Sequence, residues 1–162
     1  MALQLETATF GAGCFWGVEA AFRRVSGVVS TSVGYMGGHF PHPSYLDVLA
    51  RITGHAEVAQ VKYDPDQVSY DDLLQVFWEI HDPTSLNRQG PDRGEQYRSV
   101  IFYHTDQQAA AARRSRHRLQ QSGRYSREIV TEIQPASDYY LADESHQQYF
   151  ERRYDRNTGS VK

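Results

Sequence analysis

Residues 7–27, with the sequence TATFGAGCFWGVEAAFRRVSG, decide the fold because they change from strand to helix at one point. The β-branched and aromatic residues from Thr7 to Phe10 favour a short strand. Two glycines in the segment 11–13 end this strand. From Cys14 onward, apolar residues recur every three or four positions, as on one face of a helix, and Gly27 ends it. The apolar positions are Phe15, Val18, Ala21, Phe22 and Val25.

The rest of the chain repeats this alternation of strand and helix periods. Further strands are predicted at residues 28–35, 56–63, 99–103 and 127–133, and helices at 45–50, 69–81 and 106–121. Ser69 with Asp72 three residues later resembles a capping box, which marks a helix start. The order β-α-β, β-α-β and then further elements predicts an α+β fold. We expect a two-layer sandwich of split β-α-β (ferredoxin-like) topology with additional C-terminal elements.

Length and charge limit the possible partners. The chain has 162 residues, within the usual ~100 to 200 residues per domain, so residues 1–162 are predicted to form a single catalytic domain. A formal net charge of −3 provides no overall field to attract nucleic acid or an anionic membrane. Apolar runs are short, and residues 1–6 lack the features of a signal peptide. We therefore expect a cytoplasmic monomer that binds neither nucleic acid nor membrane.

Cys14 is the only cysteine, which excludes an intrachain disulfide and a four-cysteine zinc site. It lies between Gly13 and Phe15 where a helix is predicted to begin, and helix N-termini favour a thiolate. The nearby glycines would let another molecule approach the sulfur. Two interpretations stay open at this point: a reactive thiol with Trp16 in a pocket, or a small buried core residue.

Two other features are interpreted as structural. His39 and His42 are three residues apart, but the prolines beside them disfavour a helix and no third ligand is nearby, so no metal site is predicted. Six arginines occur between residues 113 and 127 without an acidic residue. No aromatic residue interrupts the helical part of this run, so we expect a solvated helix surface rather than a nucleic-acid interface.

Several motifs in one order resemble a known family. The string at 13–17, GCFWG, resembles the active-site signature of the peptide-methionine (S)-S-oxide reductases, the A-type methionine sulfoxide reductases. Further similar strings follow in the family's order and extend the resemblance from residue 10 to residue 149. They are GYMGG at 34–38, PSY at 43–45, TGHAEV at 53–58, DRGEQYRS at 92–99 and HQQY at 146–149.

The resemblance implies a role for each matching residue. Cys14 would attack the sulfoxide sulfur, and Glu57 would be the acid that protonates the departing oxygen. Tyr45 and Tyr97 would donate hydrogen bonds to that oxygen as negative charge moves onto it. The remaining matches would bind substrate or order the site: Phe15 and Trp16 around the terminal methyl group, Asp92 through hydrogen bonds to Tyr97 or the substrate backbone, and His146 and Tyr149 closing the site.

The family reaction also implies how the enzyme would be regenerated. Reduction would leave Cys14 as a sulfenic acid and release methionine. Typical members carry C-terminal cysteines that resolve this acid, and the 162 residues contain none. We therefore expect no bound cofactor and an external thiol reductant, either thioredoxin or glutathione with glutaredoxin.

Two other functional classes remain as alternatives. A cysteine hydrolase or transferase would also use Cys14, but it usually pairs the thiol with a histidine base and has no need of a protonated Glu57. A non-catalytic domain that binds a small ligand would not need Cys14 at all. Assay with a methionine-sulfoxide peptide and dithiothreitol separates all three.

Overall fold

The computed structural model describes residues 4–158. The strands are β1 (Glu6–Ala12), β2 (Val28–Met36), β3 (Ala56–Tyr63), β4 (Arg88–Gln89), β5 (Asp92–Arg93), β6 (Ser99–Tyr103), β7 (Glu132–Pro135) and β8 (Tyr140–Leu141). The α-helices are α1 (Phe15–Arg23), α2 (Tyr45–Leu49), α3 (Tyr70–Glu79), α4 (Asp106–Gln121) and α5 (Tyr149–Thr158). Short 3-10 helices occupy Glu95–Tyr97 and Glu144–His146.

Six of the strands form one sheet, in the order β7-β6-β1-β3-β2-β8. Among the four central strands each neighbouring pair is antiparallel, so β1 runs parallel to β2 and β3 runs parallel to β6, and β7 joins β6 in parallel. The connection β1-α1-β2 leaves room for β3 between its strands, and β3-α3-β6 does the same around β1. This split β-α-β arrangement confirms the predicted fold class, with β7, β8 and α5 as the additional C-terminal elements.

The main core lies between the sheet and helices α1, α3 and α4. The ring of Phe10 on β1 stacks against Phe22 of α1 and Phe77 of α3, with centroids 4.9 and 5.3 Å apart. The opposite face of the sheet carries a smaller apolar cluster against which Ala136 and Tyr139 pack. Because both faces of the sheet are covered, β3 has a mostly apolar sequence, and Lys62 is its only exposed residue.

Local capping fixes where the helices start. Ser69 and Asp72 form the capping box that the sequence predicts for α3, and Ser44 with Asp47 forms another at α2. Helix α1 differs because its N-cap residue is Cys14, which makes no side-chain capping hydrogen bond. The first backbone N–H groups of α1 are therefore available to a group at that end.

The strand predicted at 127–133 is wrong at its beginning, since β7 starts at Glu132. The backbone N–H groups of Ile129 and Val130 donate instead to Gln120 Oε1 and the carbonyl of Pro83. These partners hold the segment off the sheet edge despite its β-branched composition. The strands β4, β5 and β8 were not predicted, because two residues are too few to show alternation.

No helix within residues 4–158 is both long and apolar enough to cross a membrane. The prediction of one domain spanning residues 1–162 extends past both ends of the described range and stays a prediction.

Candidate active site

Cys14 lies half-buried at the N-terminus of α1. The backbone N–H groups of Trp16 and Gly17 act on its sulfur to lower the thiol pKa, as expected for the first turn of a helix. Gly13 supplies the turn from β1 into α1 with a φ of 99°, a conformation that other residues rarely adopt. This turn places Cys14 at the end of the sheet where β1 finishes and α1 begins.

The pKa of the Cys14 thiol is nevertheless raised, to about 12. Burial is the largest cause, and negative charge on Glu57 and Asp92 adds to it. The expectation that the helix terminus activates the thiol is therefore wrong for the substrate-free protein, because desolvation outweighs two backbone hydrogen bonds. In this state Cys14 holds its proton at neutral pH.

The side chain of Glu57, on β3, contacts the same end of helix α1. Its side chain is only 1% exposed, and its Oε1 accepts a hydrogen bond of 3.1 Å from the backbone N–H of Phe15. Burial raises the pKa of the Glu57 carboxyl to about 8, the Phe15 N–H lowers it in part, and the charge of Asp92 raises it further. Glu57 is thus a neutral carboxylic acid at neutral pH, next to the residue that follows Cys14.

The proton of neutral Glu57 can be assigned to one oxygen. Oε1 accepts from the Phe15 N–H, which favours placing the proton of the neutral acid on Oε2. Oε2 is fully buried and has no hydrogen-bond partner among residues 4–158. A buried acid whose proton has no acceptor is prepared to donate to an oxygen brought in by a ligand.

Two phenols, those of Tyr45 and Tyr97, and the carboxylate of Asp92 lie near Cys14 and Glu57. Tyr45 begins α2 and Tyr97 ends a 3-10 helix, and both are half-buried within electrostatic reach of Cys14 and Glu57. Burial, followed by negative charge on Glu57, raises the pKa of Tyr45 to about 12 and raises that of Tyr97 as well. Both hydroxyls therefore stay protonated and can donate hydrogen bonds.

Asp92 on β5 completes this group, since its charge raises the pKa of the Cys14 thiol and of the Glu57 carboxyl. The resemblance implies hydrogen bonds between Asp92 and either Tyr97 or the substrate backbone. Asp92 and Tyr97 share no hydrogen bond in the described part of the chain, so Asp92 acts on Tyr97 through its charge. A hydrogen bond to the substrate backbone stays a prediction.

An aromatic wall borders the site on the side of the C-terminal segment. Trp16 stacks on Tyr149 with centroids 3.7 Å apart, and its Nε1 donates to His146 Nδ1 at 3.0 Å. Burial lowers the pKa of His146, which keeps the acceptor nitrogen unprotonated. The ring of Phe15 is fully buried and packs against the rings of Tyr45 and His146. An incoming methyl group would therefore contact Trp16, and Phe15 would support the aromatic wall from the protein interior.

Residues that the sequence analysis did not single out hold this wall in place. The Gln147 side chain bonds both the N–H and the carbonyl of Val33, as a neighbouring strand would. Buried Glu19 accepts from the backbone and the side-chain amide of Gln148 at 2.8 Å each. The two glutamines belong to the HQQY string, so the sequence contained a signal that could have identified them. The sequence contained no such signal for Glu19, because a charged residue on a helix is normally exposed.

The structure thus brings all of the predicted site residues to one end of the sheet. Within the described range, no group of three or more histidine, cysteine, aspartate or glutamate side chains is arranged to hold a metal ion. One residue was missed. Tyr35, directly opposite Glu57 on β2, has a buried hydroxyl without a partner in residues 4–158.

Removing one phenol tests whether these hydroxyls face developing charge. We predict that Tyr97→Phe lowers the turnover number for a methionine-sulfoxide peptide about 100-fold with a small change in KM, because loss of one donor to an oxyanion typically has this effect. Steady-state kinetics measures both. Tyr103→Phe, a half-buried phenol on β6 outside the site, is the matched control. Equal activity of the two variants would contradict the assigned role.

A weakly acidic thiol beside a buried acid, together with phenol donors and an aromatic wall, defines a cysteine-dependent enzyme for a substrate with a basic oxygen next to apolar groups. Sequence comparison makes the class specific. The family profile described as peptide methionine sulfoxide reductase matches residues 6–161. Peptide methionine sulfoxide reductase MsrA 1 of Nostoc sp. is 72% identical over 152 residues, covering 94% of this chain and 93% of that relative.

Solved structures agree with the sequence comparison. Mxr1 of Saccharomyces cerevisiae in reduced form is 35% identical with a TM-score of 0.87, covering 93% of this chain and 87% of the yeast chain. Methionine sulfoxide reductase A of Corynebacterium diphtheriae is 40% identical with a TM-score of 0.82, covering 93% and 76%. Mxr1 was also solved in complex with Trx2, at 26% identity, a TM-score of 0.64 and coverage of 92% and 87%.

The chain belongs to the peptide methionine sulfoxide reductase family. It is an oxidoreductase that reduces methionine sulfoxide, and both the family and the fold agree with the resemblance of the sequence motifs.

Proposed function

We propose that this enzyme reduces the S epimer of methionine sulfoxide to methionine through a sulfenic acid at Cys14. The observation that carries the proposal is the buried Glu57 carboxyl, whose Oε1 accepts from the Phe15 N–H at 3.1 Å and whose Oε2 has no hydrogen-bond partner in the described residues. A sulfoxide needs both an attacking sulfur and a proton for its oxygen, and a carboxyl that is ionised at neutral pH could not supply the second.

The first half-reaction balances with the groups present. Cys14 Sγ bonds to the sulfoxide sulfur while Glu57 Oε2 and the Cys14 thiol each give one proton to the oxygen, so the S–O bond of the substrate breaks and water leaves. Water then attacks Cys14 Sγ, the new S–S bond breaks with its electron pair going to the methionine sulfur, and the proton released from the water restores Glu57. In sum, the Cys14 thiol and a sulfoxide give a Cys14 sulfenic acid and a thioether, so the cysteine sulfur is oxidised and the methionine sulfur reduced.

The surrounding side chains would select and orient the substrate. Tyr45 and Tyr97 donate hydrogen bonds to the sulfoxide oxygen, while Trp16 contacts the terminal methyl group. Tyr45 packs against His146 with ring centroids 4.4 Å apart, so its position relative to the aromatic wall is fixed. Fixed places for the oxygen and the methyl group around the substrate sulfur would favour one epimer. His146 and Tyr149 support the wall and Asp92 orders the opposite side.

The second half-reaction requires thiols from outside the 162 residues, since Cys14 is their only cysteine. One external thiol would form a mixed disulfide with Cys14 and release water, and a second would restore the Cys14 thiol. Thioredoxin and glutathione with glutaredoxin are the candidate reductants. The complex of yeast Mxr1 with Trx2 supports thioredoxin.

We place this activity in protein repair after oxidative damage, in the cytoplasm, with the enzyme acting as a monomer on free or protein-bound methionine sulfoxide. A cysteine hydrolase is less consistent with the site, because no histidine in the described part of the chain hydrogen-bonds to Cys14. The nearest histidine ring in the site, His146, is bonded to Trp16 instead. A non-catalytic binding domain would not explain the buried neutral acid.

An epimer-resolved assay tests the proposal. Purified enzyme with dithiothreitol is incubated separately with the S and R epimers of a blocked methionine sulfoxide, and methionine formation is followed by chromatography. We expect consumption of the S epimer alone. Consumption of both epimers at similar rates, or of neither, would count against the proposed reaction.

A further inference from the structure

Tyr35 is the direct cross-strand neighbour of Glu57, and the reaction outlined above gives it no role. The two residues are register partners in the antiparallel pair of β2 and β3. Directly opposite residues project their side chains from the same face of a sheet, with Cβ atoms about 4.5–5.5 Å apart. The phenol and the acid therefore share one enclosed space.

Both side chains have an unsatisfied polar atom. Tyr35 and Glu57 are each 1% exposed, and neither Tyr35 Oη nor Glu57 Oε2 has a hydrogen-bond partner within residues 4–158. A buried hydroxyl without a partner lowers stability, and phenylalanine would fill the same space without this cost. Native proteins contain few such groups, and a catalytic role is one of the reasons for which they are retained.

Phe15 connects the two residues physically. Its ring lies 5.6 Å from that of Tyr35, centroid to centroid, and its backbone N–H holds Glu57 Oε1. One oxygen of Glu57 is thus fixed by the start of α1. The other oxygen, which carries the proton, shares the enclosed space with a donor that is not otherwise used.

We propose that Tyr35 is a positioning residue that acts through Glu57, donating a hydrogen bond to the carboxylate that remains once Oε2 has given up its proton. The inference rests on the proposed function. The O–H bond at Oε2 breaks, a new O–H bond forms at the substrate oxygen, and Tyr35 keeps its own proton. The Phe15 N–H and the Tyr35 hydroxyl then stabilise the buried charge together, directly or through one bridging water molecule.

The charges around the pair are consistent with a donor role. Burial raises the pKa of the Tyr35 phenol well above its usual value, and negative charge on Glu57 raises it further, so Tyr35 donates a hydrogen bond without losing a proton. Tyr45 and Asp143 also act on Tyr35. The titratable groups that face Glu57 are Cys14 from α1, Tyr35 from β2, Tyr45 from α2, Asp92 from β5 and Tyr97 from the first 3-10 helix.

Tyr35→Phe tests the inference because it removes only the hydroxyl. Glu57 is titrated in substrate-free protein by carbon-13 NMR of labelled glutamate carboxyls, and methionine release is measured in a single turnover. We expect the pKa of Glu57 to rise by about one unit in the variant, since the carboxylate loses a donor. The single-turnover rate at pH 7 falls about tenfold, substrate affinity stays within about twofold, and Tm does not fall.

Tyr70→Phe is the matched control, because Tyr70 on α3 has a second buried hydroxyl without a partner in the described residues and packs near Phe10, away from the site. It should leave the Glu57 titration and the rate unchanged. An unaltered Glu57 pKa in Tyr35→Phe, or a loss confined to substrate affinity, would overturn the inference. The titration needs no turnover, so a wild-type enzyme unable to reduce methionine sulfoxide would count against the proposed function alone.

Discussion

Replacing Cys14 with serine is expected to abolish methionine sulfoxide reduction, lowering turnover with dithiothreitol by at least about 10⁴-fold. A serine hydroxyl at the same N-cap is a far weaker nucleophile toward sulfur and cannot form a sulfenic acid. The measurement is methionine formation from a methionine-sulfoxide peptide, followed over hours so that a small residual rate is visible.

A loss of activity in Cys14→Ser can be assigned to this thiol, because Cys14 is the only cysteine and no other thiol in the 162 residues can replace it. Serine is close in volume to cysteine, and α1 makes no side-chain capping bond at this position that the change could remove. Ser26→Ala provides a matched small change at the other end of α1 and should keep full activity. Turnover in Cys14→Ser above one-hundredth of wild type would show that the reaction does not need this thiol.

Glu57→Gln is expected to lower the single-turnover rate about 10³-fold, within the usual range for loss of a general acid. The glutamine amide keeps the shape and can accept from the Phe15 N–H, but it has no acidic proton to deliver. Substrate affinity should change little. Rapid quenching followed by quantification of methionine separates this chemical step from the thiol-dependent regeneration.

The same substitution is expected to stabilise the fold in a pH-dependent way. The Glu57 carboxyl has a pKa near 4.5 as a free side chain and about 8 in the folded protein. Between these values the unfolded chain ionises while the folded chain must retain its proton, so wild-type stability falls as pH rises. Glutamine lacks this dependence. We predict that Glu57→Gln is more stable than wild type by about 3 kcal/mol at pH 7.

Urea unfolding at pH 5, 7 and 9 measures this difference. It should be small at pH 5, grow up to about pH 8 and then stay constant, because both states of the wild type are ionised above the folded pKa. Glu128→Gln, an exposed glutamate, is the control and should change neither rate nor stability. A Glu57→Gln variant with near-normal rate, or a stability difference that does not vary with pH, would contradict a neutral buried acid.

The fold was largely predictable because its elements carry strong local signals. The alternating residues of 56–63 and the capping box at Ser69 place β3 and α3 where the structure has them. The segment 127–131 has strand-like composition, but its backbone N–H groups donate to Gln120 Oε1 and to the Pro83 carbonyl, which hold it away from the sheet. Neither acceptor can be recognised from the composition of the segment itself.

The site was predictable in its members and less so in its chemistry. The helix start at Cys14 indicates a lowered thiol pKa, whereas burial by distant residues raises it to about 12. Phe15 appears in the sequence as a pocket residue, but it contributes its backbone N–H to Glu57 and a buried ring. Tyr35 could not be paired with Glu57 before the strand register was known.

Reduction of the substrate should leave Cys14 as a sulfenic acid, and the mass of the intact protein after reaction without any reductant measures this product. We expect one methionine released per enzyme molecule and a gain of one oxygen atom, located on the peptide that contains Cys14 and removed by dithiothreitol. Continued methionine release without a thiol, or an unchanged mass at Cys14 after methionine has formed, would contradict it.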